Sequence, residues 1–118
     1  MRIWVIDDEP GILQVVETAL TCRGHQVTTY ASAKLVGDAI ASQCESIPDL
    51  VLIDVMLGPE DGLALAQRLH AVWPTVSVVM MSGDEVPLPG ELPLSTRWLK
   101  KPFRLQKLTQ TVEHFHSG

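Results

Sequence analysis

The feature that most constrains the fold is the alternation of short aliphatic or β-branched runs with longer stretches whose apolar residues recur at helical spacing. Several of these runs are apolar throughout, which is typical of strands covered on both faces. The runs are Ile3–Ile6, Gln26–Tyr30, Leu50–Ile53, Val76–Met81 and Trp98–Leu99. Strands that alternate with helices predict βαβ units, and right-handed crossovers then give a parallel sheet inside a three-layer α/β sandwich.

The stretches between the runs carry signals for the start and the end of helices. Apolar residues recur at helical spacing from Ile12 to Leu20, and Gly24 predicts the end of that helix. Ser32 predicts the N-cap of a second helix. A third helix is predicted to begin near Asp61-Gly62, and the apolar stripe from Leu105 to Phe115 predicts the last helix.

One region breaks the alternation. Between Gly83 and Thr96 stand Pro87, Pro89, Pro93 and Gly90. Proline at this density disfavours a regular helix, because each ring removes a backbone donor and restricts the residue before it. We therefore predict that the fourth helix is short or missing.

Composition limits the class of protein. The chain has 118 residues, of which 46% are hydrophobic, so one domain with a substantial core is expected. The formal net charge of -5 argues against direct binding to nucleic acid or a membrane surface. No apolar run could span a bilayer, and Met1 leads into the first run without a signal peptide. Cys22 and Cys44 lack metal-ligand spacing, so we interpret them as free thiols and predict a cytoplasmic domain.

Polar side chains follow the predicted strands where each strand ends. They are Asp7, Asp8 and Glu9 after the first strand, Asp54 after the third, Ser82 after the fourth, and Lys100-Lys101 after the fifth. The carboxyl ends of parallel strands meet at one edge of the sheet, where ligands bind in such folds. Clustered carboxylates repel one another, and Mg²⁺, which prefers oxygen ligands, would remove that repulsion. An aspartate can also act as a nucleophile and form an aspartyl phosphate, which a lysine and a hydroxyl would stabilise.

Four motifs, in this order and spacing, resemble those of the receiver domain of two-component response regulators. They are Trp4–Glu9, Asp49–Asp54 with Asp61-Gly62 after it, Val78–Gly83 and Trp98–Phe103. The resemblance covers essentially the whole chain, so it implies a single receiver domain over residues 1–118. It also implies a flavodoxin-like (CheY-like) fold with a five-stranded parallel sheet in the order 2-1-3-4-5, counting strands along the chain.

The resemblance assigns the acidic residues to phosphoryl and metal chemistry. It implies that Asp54 is the phosphoacceptor. The Mg²⁺ ligands would be Asp8, Asp54 and the main-chain carbonyl of Met56, and Asp7 would contribute through water.

The resemblance also assigns the residues on the fourth and fifth strands. Ser82 matches the Ser/Thr that hydrogen-bonds the phosphoryl group, and Lys101 matches the lysine that pairs with it. The Lys101-Pro102 bond is cis in many relatives, which proline makes accessible. Ser82 and Trp98 occupy the two switch positions. Trp98 is bulkier than the usual Tyr or Phe, and Gly58 stands where the family usually has proline after the phosphoacceptor.

The resemblance implies that the domain receives a phosphoryl group from a histidine kinase or phosphotransfer protein. It would act as a Mg²⁺-dependent switch and not as a turnover enzyme. The family also includes homodimers. The alternative is a receiver-like interaction module whose output does not depend on phosphate. An aspartyl-phosphate hydrolase is disfavoured because Met56, not an acid, follows Asp54 by two residues. A flavodoxin is disfavoured because the acidic cluster would repel the phosphate of its cofactor.

The stretch that holds the fifth strand is locally basic. Its basic residues are Arg97, Lys100, Lys101, Arg104 and Lys107. We interpret it first as a solvated face with one active-site lysine, and a surface for an acidic partner is the alternative.

Overall fold

The computed structural model describes residues 1–42, 47–83 and 96–117, with side chains described up to residue 113. The strands are β1 (Arg2–Ile6), β2 (Gln26–Tyr30), β3 (Leu50–Asp54), β4 (Met56–Leu57), β5 (Glu60–Asp61), β6 (Ser77–Ser82) and β7 (Arg97–Lys100). The helices are α1 (Pro10–Cys22), α2 (Ala33–Ser42), α3 (Gly62–Val72) and α4 (Leu105–Ser117).

Five of the strands form one parallel sheet in the order β2-β1-β3-β6-β7. Counted within this sheet alone, the order is the predicted 2-1-3-4-5, so the predicted fold is confirmed. β4 and β5 form a separate two-stranded antiparallel ribbon between β3 and α3. The strands predicted from the sequence did not include this ribbon. The predicted short or missing fourth helix falls on residues 84–95, outside the described part of the chain.

Successive side chains of a strand point to opposite faces of the sheet, and helices cover both faces. On one face the strand residues Trp4, Ile6, Ile53 and Met80 belong to a cluster that includes residues of α2 and α3. The other face packs against α1 and α4, and its strand residues include Ile3, Val5, Leu52, Met81 and Leu99. Every residue of β3 is buried, which explains why its run is apolar until Asp54.

The helix ends follow the local signals in the sequence. Gly24 has a φ of +89°, a left-handed conformation that glycine adopts without steric cost, and α1 ends just before it. The Ser32 hydroxyl accepts a hydrogen bond from the Leu35 amide at 3.2 Å, as an N-cap does. Asp61 caps α3 by accepting from the Leu63 amide at 2.9 Å. The backbone freedom of Gly24 and the capping side chains of Ser32 and Asp61 therefore help to fix where these helices begin and end.

Candidate functional site

The polar residues predicted at the strand ends meet at one edge of the sheet. Asp7 follows β1 and its amide donates to the Tyr30 carbonyl at 3.1 Å, which extends the ladder with β2 by one residue. On the other side, the Lys101 amide donates to the Ser82 carbonyl at 2.7 Å. These backbone bonds hold the residues just beyond the strands in the register of the sheet, so their side chains project from the same edge.

Lys101 links the two buried acids of this edge. Its Nζ donates to Asp7 Oδ2 at 2.7 Å and to Asp54 Oδ2 at 3.0 Å. Asp7 is fully buried, and Asp54 is only 7% exposed. Burial by itself lowers the pKa of Lys101, but the hydrogen bonds and charges of the two carboxylates together outweigh it and raise the pKa. The ammonium is therefore held in its charged form between the two acids.

Backbone amides bind the remaining oxygens of the two buried carboxylates. The Glu9 amide donates to Asp7 Oδ1 at 2.9 Å, and the Met56 amide donates to Asp54 Oδ1 at 3.2 Å. Each carboxylate is therefore held by Lys101 at one oxygen and by a backbone amide at the other. Burial nevertheless raises the pKa of Asp7, and the hydrogen bond from Lys101 offsets this only in part. Additional positive charge at this edge would lower the cost of ionising Asp7.

Three carboxylates at this edge are close enough to share a metal ion. Asp7, Asp8 and Asp54 each offer an oxygen, and these oxygens lie within 4.8 Å of one another. Asp8 is exposed, and among the described residues its side chain has no hydrogen-bond or ion-pair partner. A set of carboxylate oxygens open to solvent on one side suits a hard cation that keeps several waters, as Mg²⁺ does.

Two glycines let the chain after β3 pass close to the acids. Gly58 has a φ of +62°, and a Cβ placed on it would lie 3.5 Å from Asp8 Oδ2. A Cβ on Gly62 would lie 1.9 Å from the carbonyl oxygen of Asp54, closer than any side chain could stand. The Gly62 amide also donates to the Val55 carbonyl at 2.8 Å. In the sequence, Gly62 was interpreted only as part of a motif and as the start of a helix, so this contact was not predicted.

The remaining predicted site residues lie around the acid cluster. Ser82 is buried at the end of β6, opposite Lys100 in the register with β7. Met56 is 64% exposed, and it reaches the cluster through its backbone amide. Trp98 is half-buried on β7 and packs against the sheet face that contains Trp4. The peptide bond between Lys101 and Pro102 is cis.

The sequence matches the response regulator receiver domain over residues 3–113. The chain belongs to that family. This receiver domain is 30% identical over 114 residues to the DNA-binding transcriptional regulator NtrC of Escherichia coli (strain K12), with 94% of this chain and 24% of NtrC covered. It is also 30% identical over 114 residues to the sensory transduction protein LytT of Enterococcus faecalis, with 96% of this chain and 47% of LytT covered. It therefore spans about a quarter of NtrC and under half of LytT.

Solved structures agree with this assignment. The receiver domain of NtrX from Brucella abortus superposes with a TM-score of 0.79 at 29% identity, covering 95% of each chain. The chemotaxis protein CheY4 of Vibrio cholerae superposes with a TM-score of 0.83, covering 96% of each chain. At 23% identity, that second likeness concerns the fold alone.

Membership of the family establishes the class of function. A receiver domain has the phosphoacceptor role in two-component signalling, and this domain is a signalling switch of that kind. Receiver domains generally bind Mg²⁺ in an acidic pocket, and the cluster of Asp7, Asp8 and Asp54 could hold a metal ion. None of the helices in the described ranges has the length and apolar character needed to cross a membrane.

Proposed function

We propose that Asp54 is the phosphoacceptor, and that a histidine kinase or a phosphotransfer protein supplies the phosphoryl group. The observation that carries the proposal is the contact of Lys101 Nζ with Asp54 Oδ2 at 3.0 Å, inside a cluster of three carboxylates. A nucleophilic carboxylate beside a fixed cation is the arrangement that transfer of a phosphoryl group to aspartate needs.

In the transfer, a carboxylate oxygen of Asp54 attacks the phosphorus of the donor's phosphohistidine. A new O–P bond forms while the P–N bond breaks, and the donor imidazole leaves with the bonding electron pair. Lys101 pairs with an oxygen of the transferring group, and the Ser82 hydroxyl donates a hydrogen bond to another. The backbone amide of Met56 keeps Asp54 oriented, because it binds the other carboxylate oxygen at 3.2 Å.

The metal ligands in this proposal are Asp8, Asp54 and the main-chain carbonyl of Met56, while Asp7 acts through water. The 4.8 Å limit on the distances between the carboxylate oxygens supports Asp8 and Asp54 as ligands and puts Asp7 close enough to take part. When bound, Mg²⁺ would neutralise charge on the phosphoryl oxygens. The exposure of Asp8 to solvent supports its assignment as a ligand of a cation that keeps several waters.

The proposed switch consists of Ser82 and Trp98, in a single receiver domain that occupies residues 1–118. Phosphorylation adds about 1.5 to 2 negative charges at one point. Ser82 would move toward the phosphoryl group, and the half-buried Trp98 on the neighbouring strand would repack. The domain would assist its own phosphorylation and dephosphorylation. The domain would act in the cytoplasm, where its kinase partner supplies the phosphoryl group. It would do so as a monomer or a homodimer.

Acetyl phosphate tests the proposal without knowledge of the kinase. The protein is incubated with acetyl phosphate with and without Mg²⁺, and its intact mass is followed. We expect a Mg²⁺-dependent gain of one phosphoryl group that Asp54→Asn abolishes and Asp8→Asn strongly reduces. Unchanged phosphoryl gain in Asp54→Asn would show that another residue is the acceptor. No gain in the wild type, together with no Mg²⁺ binding in a titration, would favour the phosphate-independent interaction module.

A further inference from the structure

The ribbon formed by β4 and β5 carries backbone that borders the acid cluster. Its first residue, Met56, binds Asp54 Oδ1 through its amide, and its carbonyl is the proposed metal ligand. At the turn of the ribbon, Gly58 lies against Asp8, because a Cβ placed on it would be 3.5 Å from Asp8 Oδ2. A ribbon with two residues in each strand is only marginally stable by itself. Contacts with the rest of the fold must therefore hold it in place.

Glu60 connects the ribbon to the start of helix α2. Its Oε1 accepts a hydrogen bond from the Ala33 amide at 3.0 Å, between residues 27 positions apart. Within the ribbon Glu60 lies opposite Leu57, and directly opposite residues of an antiparallel pair have their side chains on the same face. Leu57 is buried in the same apolar cluster as Ala33. This face of the ribbon therefore joins the apolar cluster that includes α2, and Glu60 adds a directed bond to the first residue of that helix.

Two side-chain acceptors serve the start of α2, and they come from different parts of the chain. The first amides of a helix have no partner within the helix, so a side-chain oxygen stabilises them, and a carboxylate also interacts favourably with the helix dipole. Ser32, next to the helix in sequence, accepts from the Leu35 amide at 3.2 Å. Glu60 accepts from the Ala33 amide and belongs to the ribbon. Both caps stabilise α2, and the cap from Glu60 also links the helix to the ribbon.

We infer that Glu60 is a positioning residue for the metal site. Its bond to α2 holds the ribbon so that the Met56 carbonyl and the turn at Gly58 stay beside the acid cluster. The carboxylate of Glu60 lies outside the three-carboxylate cluster and is engaged by the helix, so its effect on the metal passes through the backbone. The inference rests on the proposed function, because it concerns the same metal ligands. By linkage, a bond that favours Mg²⁺ binding is itself strengthened by the same factor when Mg²⁺ binds.

Titration of the unphosphorylated domain with Mg²⁺, followed by the NMR shifts of backbone amides near the acid cluster, tests the inference. Glu60→Ala should raise the dissociation constant of Mg²⁺ about tenfold, as loss of a group that supports metal ligands does. Glu60→Gln keeps a side-chain oxygen as acceptor and should bind Mg²⁺ nearly as well as the wild type. The matched control is Ser32→Ala, which removes the other cap of α2. It should bind Mg²⁺ like the wild type, although its melting temperature should fall about as much as that of Glu60→Ala.

Hydrogen exchange in the wild type gives a second test that does not depend on the folding of a variant. Saturation with Mg²⁺ should slow exchange of the Ala33 amide by the same factor of about ten, because the coupling is reciprocal. In Glu60→Ala the Ala33 amide should exchange at a rate that Mg²⁺ does not change.

Four results would overturn the inference while the wild type binds Mg²⁺ normally. Equal Mg²⁺ affinity in Glu60→Ala and the wild type would show that the bond to α2 does not position the site. Equal weakening in Glu60→Ala and Glu60→Gln would assign the effect to charge, and equal weakening in Glu60→Ala and Ser32→Ala would assign it to the stability of α2. Exchange of the Ala33 amide that ignores Mg²⁺ in the wild type is the fourth. Absence of Mg²⁺ binding to the wild type would instead overturn the proposed metal site and this inference together, so the two failures are distinguishable.

Discussion

Gly62 offers a sharp test of how the chain is built around Asp54. In Gly62→Ala the new Cβ would stand 1.9 Å from the Asp54 carbonyl oxygen, whereas ordinary contact begins at 3.4 Å. The backbone must therefore separate by about 1.5 Å at this point, the difference between those two distances. Overpacking of this kind costs about 1–3 kcal/mol, and backbone atoms cannot rotate away as a side chain can. The helix propensity of alanine returns at most about 1 kcal/mol.

We expect a net loss of about 1–2 kcal/mol in the free energy of unfolding, measured by urea denaturation, and a melting temperature lower by roughly 4–8 °C. Phosphoryl gain from acetyl phosphate should also slow, because Asp54 is displaced. The control is Gly11→Ala in α1, where a Cβ meets nothing within 4 Å and the helix should be unchanged or slightly more stable. Wild-type stability and wild-type phosphorylation in Gly62→Ala would refute the reasoning.

Three further predictions concern charge. Lys101→Ala leaves Asp7 buried without its cation, so chemical denaturation should show that the free energy of unfolding falls by about 3 kcal/mol. A variant as stable as the wild type would contradict the ion-pair geometry. Mg²⁺ at a hundred times its dissociation constant should add about 2.7 kcal/mol of stability, and Asp8→Asn should remove most of this gain in a thermal melt. The hydrogen bond from Arg23 lowers the pKa of Glu113 below its usual 4.5. The stability that this ion pair contributes is therefore fully present above pH 4.5, and it is lost as the pH falls through the lower pKa of the folded state. Wild type and Glu113→Gln should accordingly differ in urea midpoint at neutral pH and converge in acid, and a constant difference would show that the pair is not the cause.

The sheet was predictable from the sequence because its strands are buried on both faces. β3 is apolar at every position up to Asp54, as expected for a strand that is covered on both faces. The boundaries of β6 lie one residue later than the predicted Val76–Met81, a difference that hydrophobicity cannot resolve. The sequence alone also predicted that acids and a lysine would share one edge, since parallel strands end together.

The sequence could not predict features that depend on close approach between distant or irregular segments. The ribbon of β4 and β5 has two residues in each strand, too few for a periodic pattern. The contact of Gly62 with Asp54 depends on the path of the loop between them. The pairing of Arg23 with Glu113 joins residues 90 positions apart, and either side chain alone looks like an ordinary surface charge. The roles of the individual site residues remain predictions for the experiments above.

The shared ammonium of Lys101 has a consequence for the energetics of signalling. Its three N–H donors serve two acceptors at rest, Asp7 and Asp54. If Asp54 is phosphorylated as proposed, one of these bonds would exchange a carboxylate oxygen for a phosphoryl oxygen, while the bond to Asp7 would persist. Lysine therefore contributes to both states and discriminates only weakly between them. In the proposed switch, the free energy that separates the two states would then come mainly from the added charge and from the proposed movement of Ser82.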